Sequence, residues 1–304
     1  VTSQLIHVRV PFRTPVRTAA GLWTHCDSWI ERYEIEGGPP FLGEGPTPEA
    51  AAAIDWEGEA LGRSVPVNAL VGAGPLREAV YGATMAADAG FGTVKMKVGM
   101  EGSIEELRQR VRAVREAIGP EVRLRLDANG AWTPEEAPTW LRSIWDYDIE
   151  FAEQPIPAST GAAALAGLRA QCPVPIAADD SVTSLDAARA LLDAKAVDVL
   201  VVKPSRVGGW AVACDIMELA SRAGVPVVMS TLFETGVGIS VALLLAAQLP
   251  EGPAHGLATA EILESDLLTQ PLEIVDGQML VPQTVELDEE ALERYAIEWV
   301  GEWT

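Results

Sequence analysis

The chain has 304 residues, 48% of them hydrophobic and 22% charged, an ordinary globular composition with enough length to bury a large core. Forty-four acidic residues against 22 lysines and arginines give a net charge of −22 and a pI of about 4.4. That balance argues against nucleic acid or an anionic membrane as a partner, because both repel an acidic surface; a small anionic substrate in a pocket lined by a few cations remains compatible with it.

Taken in chain order, residues 1–10 alternate like a strand and lack the basic and long apolar stretches of a secretion signal. Residues 29–36 read as a second, antiparallel strand, and a helix is expected near 48–61. From residue 65 a regular strand–helix alternation begins. Short apolar, β-branched runs place strands at 65–71, 93–98, 122–128, 149–154, 175–179, 197–203, 226–231 and 254–257. Helical spacing falls between them, for example over 104–118, 134–145, 184–194, 210–223 and 236–248, with Pro134 and Ser184 at positions suited to helix starts. No Gly-x-Gly-x-x-Gly opens a helix after the first strand, so an open dinucleotide-binding sheet lacks its usual sign.

The expected fold is therefore α/β, a (β/α)7β TIM-like barrel over residues 65–260. Residues 1–64 and 261–304 are expected to meet in an α+β capping domain built from both chain ends. The apolar run 237–249 is too short and too alanine-rich to span a bilayer. Cys26, Cys172 and Cys214 are odd in number and far apart, which suits a reducing cytoplasm better than a disulfide framework. Nothing in the sequence speaks to the oligomeric state.

Three expected strands end in acids that recur every 26 residues: Asp127, Glu153 and Asp179. One acidic strand end is commonplace. Three on consecutive parallel strands converge above a barrel, where unpaired carboxylates repel one another unless a hard divalent cation joins them. Mg²⁺ suits such an oxygen-rich site and keeps positions open for substrate. Lys95 and Lys97 lie two apart on one strand and so face the same side, which is the interior if Val94, Met96 and Val98 pack under helices. Lys203 ends the sixth strand, 24 residues past Asp179. Buried lysines are costly, and clustered ones lower one another's pKa, so one of them can act as a neutral base.

Lys-x-Lys on strand two, Asp, Glu and Asp on strands three to five and Lys on strand six resemble the enolase superfamily, muconate-lactonizing-enzyme subgroup. The resemblance implies that Asp127, Glu153 and Asp179 hold Mg²⁺, that Lys97 and Lys203 flank the reacting carbon of a small carboxylate substrate, and that Lys95 supports Lys97. Asp180 stands where many relatives carry Glu and is expected beside the metal ligands. The run Arg125 to Trp132 and the segment His255 to Thr259 are similar to the o-succinylbenzoate synthase family, which dehydrates a cyclohexadiene carboxylate through an enediolate. Lys97-Val98-Gly99 is slightly closer to N-succinylamino acid racemases and related epimerases, the alternative. Substrate contacts are expected from Arg125, Asn129, Ser230 and Thr231, with help from the helix start at Glu234-Thr235-Gly236. The loop from Arg13 to Trp23 resembles the family's lid, so that Arg13, Arg17 or Trp23 is a candidate for touching substrate. His255 is expected to be structural.

Overall fold

Gln4, Ile6, Val8, Val10 and Phe12 are buried while their neighbours are not, the period-two pattern of a half-covered sheet. They lie on strand β1 (Thr2–Thr18), which forms a hairpin with β2 (Gly21–Glu34), and β3 (Phe41–Gly45) pairs with the far side of β2. This computed structural model describes residues 2–18, 21–34, 41–54 and 58–301, without the side chains of Thr2, Arg17, Thr18 and Glu34.

The helix expected near 48–61 is absent from the described part of that segment. One turn starts at Thr47, but Ile54 N–H then donates to Leu42 O at 3.2 Å, so the chain pairs with β3 instead of coiling. Glycine permits the approach: a Cβ on Gly43 would stand 2.3 Å from Ala51 O. Helix propensity is a weak prior, and pairing with a formed strand overrides it here.

The expected first barrel strand is divided. Strand β4 (Ser64–Pro66) belongs to a separate small sheet, and only β5 (Ala69–Val71) enters the barrel. Then follow helix α1 (Leu76–Asp88), β6 (Thr93–Lys97), α2 (Ile104–Ile118), β7 (Arg123–Asp127), α3 (Ala137–Arg142), β8 (Ile149–Glu153), α4 (Gly161–Arg169), β9 (Ile176–Ala178), α5 (Leu185–Asp193), β10 (Val199–Val202), the short α6 (Pro204–Val207), α7 (Trp210–Ala223), β11 (Val227–Met229) and α8 (Gly236–Ala246). Strands β5 to β11 pair in sequence order, all parallel. The eighth position is reduced to two parallel bridges, Ser230 to Gly256 and Val67 to His255, which close the ring between β11 and the start of β5. The fold is thus the expected TIM-like barrel with a capping sheet.

Helix starts follow the local chemistry. Ser103 and Ser184 accept the N–H groups of Glu106 and Ala187, and α2 buries Leu107, Val111, Val114 and Ile118 at helical spacing. Helix α3 is shorter than the expected 134–145. Thr133 and Glu136 cap one another around Pro134, and past Arg142 the Ser143 hydroxyl bonds back to Trp140 O at 2.7 Å, competing with the helical ladder.

After the ring closes, β12 (Ile274–Val275) and β13 (Gln278–Leu280) join β4, helix α9 (Glu289–Tyr295) follows, and β14 (Ala296–Gly301) pairs antiparallel with β1. Both ends of the described chain therefore share one sheet, in the order β14-β1-β2-β3. Among the described residues no helix is long and apolar enough to cross a membrane.

Candidate active site

Registers decide which side chains meet. Lys97 pairs with Asp127, Asp127 with Glu153, and Glu153 with Ala177, so all four point to the same side of the sheet at one level. Two residues earlier, Lys95, Arg125 and Phe151 form the level below. Phe151, Ala177, Val199, Val201 and Val228 make a separate apolar cluster, the packing inside the ring. Val94, Met96 and Val98 belong instead to the large core between strands and helices. The alternation predicted for the Lys-x-Lys strand is therefore the one that forms, and both lysines are interior.

Above this packing lies a pocket of about 220 Å³. Lys95, Lys97, Asp127, Asn129, Asp179, Asp180 and Lys203 line it, with Ser230, Thr231 and Trp23. Strands β6 and β10 stand four places apart in an eight-place ring, so Lys97 and Lys203 come from opposite walls. Lys97 Nζ donates to Asn129 Oδ1 at 2.6 Å and stands 3.9 Å from Asp127 Oδ2. Asn129 takes a left-handed backbone, φ 46°, which lets its own N–H reach Asp127 Oδ1 at 3.1 Å. Lys203 Nζ donates to Asp179 Oδ2 at 2.7 Å.

Lys95 bridges two acids, 2.8 Å from Glu153 Oε1 and 3.6 Å from Asp127 Oδ2. Burial acts to lower its pKa, but Glu153 and Asp127 outweigh that and hold it above the ordinary lysine range. Burial, with Asp127 and Asp179 close by, pushes the Glu153 carboxyl up to about 7 although Lys95 opposes it. One lysine holds its proton against burial, yet it does not offset burial plus two neighbouring carboxylates. Burial also acts to raise Asp179, but Lys203 and Arg206 prevail and its pKa is lowered.

Among the described residues no three His, Cys, Asp or Glu side chains are grouped, as placed, to hold an ion. Lys95 and Lys203 sit on the carboxylate oxygens. The donor set still suits a hard divalent cation. It offers three carboxylates at the ends of neighbouring strands, and burial raises one of them, Glu153, above the ordinary carboxylate range. Asp179 Oδ1 is buried with no hydrogen-bond partner, a state that ordinarily costs about 1–3 kcal/mol or more for a charged group.

Several expected contacts fall elsewhere. Arg125 does not line the pocket. It is fully buried one level down, bonded to Glu150, Asn68 Oδ1 (3.2 Å) and Ala254 O (2.6 Å), with its guanidinium 4.6 Å from the Phe151 ring centre. Arg13 turns away and donates to the carbonyls of Glu261 and Glu264, fastening the hairpin to the segment after the barrel. The side chain of Arg17 lies outside the described residues. Trp23 lines the pocket. Ser230 and Thr231 also line it; Thr231 Oγ1 lies 3.0 Å from Thr259 Oγ1.

The helix start at Thr235-Gly236 is not open to a substrate carboxylate, because Glu44 of the capping sheet occupies it. Glu44 accepts from Thr235 N–H at 3.0 Å, Gly238 N–H at 2.8 Å and the hydroxyls of Thr235 and Ser28. Beside it Glu234, bonded to Ser205, is pushed up to about 6, chiefly by burial. His255 is structural, as expected: its Nδ1 accepts Met229 N–H at 3.0 Å, and burial, with Arg125 nearby, lowers its pKa to about 4. Sequence reasoning missed Arg206 and Thr259 in the pocket wall and Glu44 of the capping sheet at the start of α8. A Lys203-x-x-Arg206 spacing just after a strand was the signal for Arg206; nothing local marked Glu44.

Residues 78–291 match the family model described as Enolase C-terminal domain-like. The chain is 38% identical over 250 residues to an o-succinylbenzoate synthase of Thermobifida fusca, covering 82% of this chain and 75% of that protein. It is 39% identical over 223 residues to the o-succinylbenzoate synthase of Mycobacterium tuberculosis, covering 72% and 65% respectively. Among solved structures, the muconate lactonizing enzyme from Pseudomonas fluorescens superposes with a TM-score of 0.84 at 20% identity over 97% of this chain and 98% of that one, a likeness of fold.

Proposed function

The chain belongs to the enolase superfamily, and on that premise we propose that it is an o-succinylbenzoate synthase. The reaction removes water from 2-succinyl-6-hydroxy-2,4-cyclohexadiene-1-carboxylate, a step of menaquinone synthesis, by way of an enediolate. What carries the reading is the placement of Lys97 and Lys203 on opposite walls of one pocket lined by Asp127 and Asp179, with Glu153 buried behind Lys95.

Those three acids would hold Mg²⁺, and what a bound Mg²⁺ supplies is positive charge for the substrate carboxylate as the carbon beside it becomes anionic. Lys97 takes the proton from that carbon onto Nζ and passes it to the departing hydroxyl on the same face. Asn129 aims its Nζ. Lys203 keeps its proton and faces the growing negative charge from the other wall. Lys95 moves no proton; it fixes the carboxylates of Glu153 and Asp127. The wall at Gly256 to Thr259 has no acidic pair to grip a substrate ammonium, which favours the dehydratase over a dipeptide epimerase. Three free thiols suit a reducing cytoplasm.

The test is product formation from the cyclohexadiene precursor, followed with Mg²⁺ and with excess chelator. Turnover should stop on chelation and return with Mg²⁺. Racemisation of N-succinylamino acids with no detectable dehydration would overturn the assignment.

A further inference from the structure

The two oxygens of Asp179 are treated differently. Oδ2 accepts from Lys203, whereas Oδ1 is buried and has no hydrogen-bond partner. Arg206 Nη1 stands 3.7 Å from that bare Oδ1, within ion-pair range but too far for a hydrogen bond. A guanidinium beside a buried carboxylate would ordinarily close this gap, because arginine–carboxylate pairs are among the strongest charge-assisted contacts. It does not close because the same Nη1 donates to Asp180 Oδ1. Both cations belong to one turn: Lys203 is the residue before α6, and Arg206 lies within it. They reach two successive acids, Lys203 to Asp179 and Arg206 to Asp180.

We propose that Asp180 is a positioning residue for metal binding, a clamp that holds the Arg206 guanidinium off Asp179 and so keeps Asp179 Oδ1 open to a divalent cation. The inference rests on the metal reading given above. Without the clamp, Arg206 swings onto Asp179, and an entering cation must displace it and then sit beside a fixed positive charge. Asp180 needs no direct contact with the cation to act in this way.

Mn²⁺ uptake by the full chain without substrate, read from the loss of the free-ion electron paramagnetic resonance signal, tests the clamp independently of turnover. Asp180→Asn should weaken Mn²⁺ binding about tenfold, the scale of coupling between residues in one charged network. Asp180→Glu, which keeps a carboxylate for Arg206, should stay within about threefold of wild type. Arg206→Gln removes the competitor and should bind at least as tightly as wild type; weaker binding there would overturn the clamp. In the double variant the Asp180→Asn penalty should disappear. A penalty of the same size with and without Arg206 would mean that Asp180 acts on the cation directly, and no penalty in either background would make the clamp idle. A wild-type chain that takes up no Mn²⁺ overturns the metal reading and this inference together, whereas uptake unchanged by Asp180→Asn overturns the inference alone.

Discussion

Glu44, on the capping strand β3, accepts the backbone N–H of Thr235 at 3.0 Å and so caps the first turn of barrel helix α8 across 191 positions of sequence. Its carboxylate meets the positive end of the helix and satisfies N–H groups that have no partner inside it. The fit is close: a Cβ on Gly238 would stand 3.1 Å from Glu44 Oε2 and 2.6 Å from Glu234 Cβ. Glu44→Ala should therefore lower the unfolding free energy by about 2–4 kcal/mol, the scale of a broken buried charged network. Urea denaturation measures it, and an unchanged midpoint would place the docking energy elsewhere.

Lys97→Ala should reduce turnover by about 10²–10⁴-fold or more, because the group serves two proton transfers. The fold should survive, since Lys97 reaches the pocket and bonds there to Asn129 with Asp127 close by. Lys95→Ala should act differently. It leaves Glu153 buried without its lysine, so metal binding and stability should fall along with rate. Near wild-type turnover in Lys97→Ala, with none in Lys95→Ala, would exchange the two roles.

Lys203→Arg separates one-base from two-base chemistry. A guanidinium keeps the charge but essentially cannot lose a proton. Dehydration should stay measurable if the larger head fits beside Asp179, whereas racemisation needs a second base and should vanish. The paired assays are o-succinylbenzoate formation and solvent-deuterium incorporation into N-succinylamino acids. Deuterium incorporation with inversion of configuration that survives the substitution would exclude Lys203 as a proton carrier.

His255 should set part of the acid limit of stability. Its folded pKa of about 4 lies below the ordinary 6.5, so the unfolded chain takes up a proton that the folded chain refuses. The stabilisation is complete above pH 6.5 and is lost as pH falls from 6.5 to 4, by roughly 3 kcal/mol for a shift of this size. His255→Gln should flatten the stability profile in that window relative to wild type. Parallel profiles would mean that His255 is solvated when folded.

The barrel was legible because its strands repeat a simple rule, apolar residues under the helices and acids or lysines at the ends. Depth was less legible than direction. Arg125 and Asp127 share a face, and sequence alternation cannot tell that Arg125, two residues earlier and so about 6–7 Å lower, is below the pocket. Arg206 had only its spacing from Lys203 to mark it, because α6 has four residues, too few to show a period. Glu44 lay beyond any local signal, since its partners are fixed only when the capping sheet meets α8. The alanine-rich stretch after Thr47 misled in the opposite way, because its neighbours in space, Leu42 and Gly43, decide its path.

The pairing of β1 with β14, Gln4 opposite Gly301, also orders events on the ribosome. At synthesis rates of 5–20 residues per second, β1 and β2 emerge roughly 15–60 s before the strand that completes their sheet. The hairpin must wait through that interval with an open edge while the barrel is made, which exposes it to wrong pairing. Nascent chains stalled before residue 296 should therefore be the ones that chaperones hold, and release should follow once β14 clears the exit tunnel.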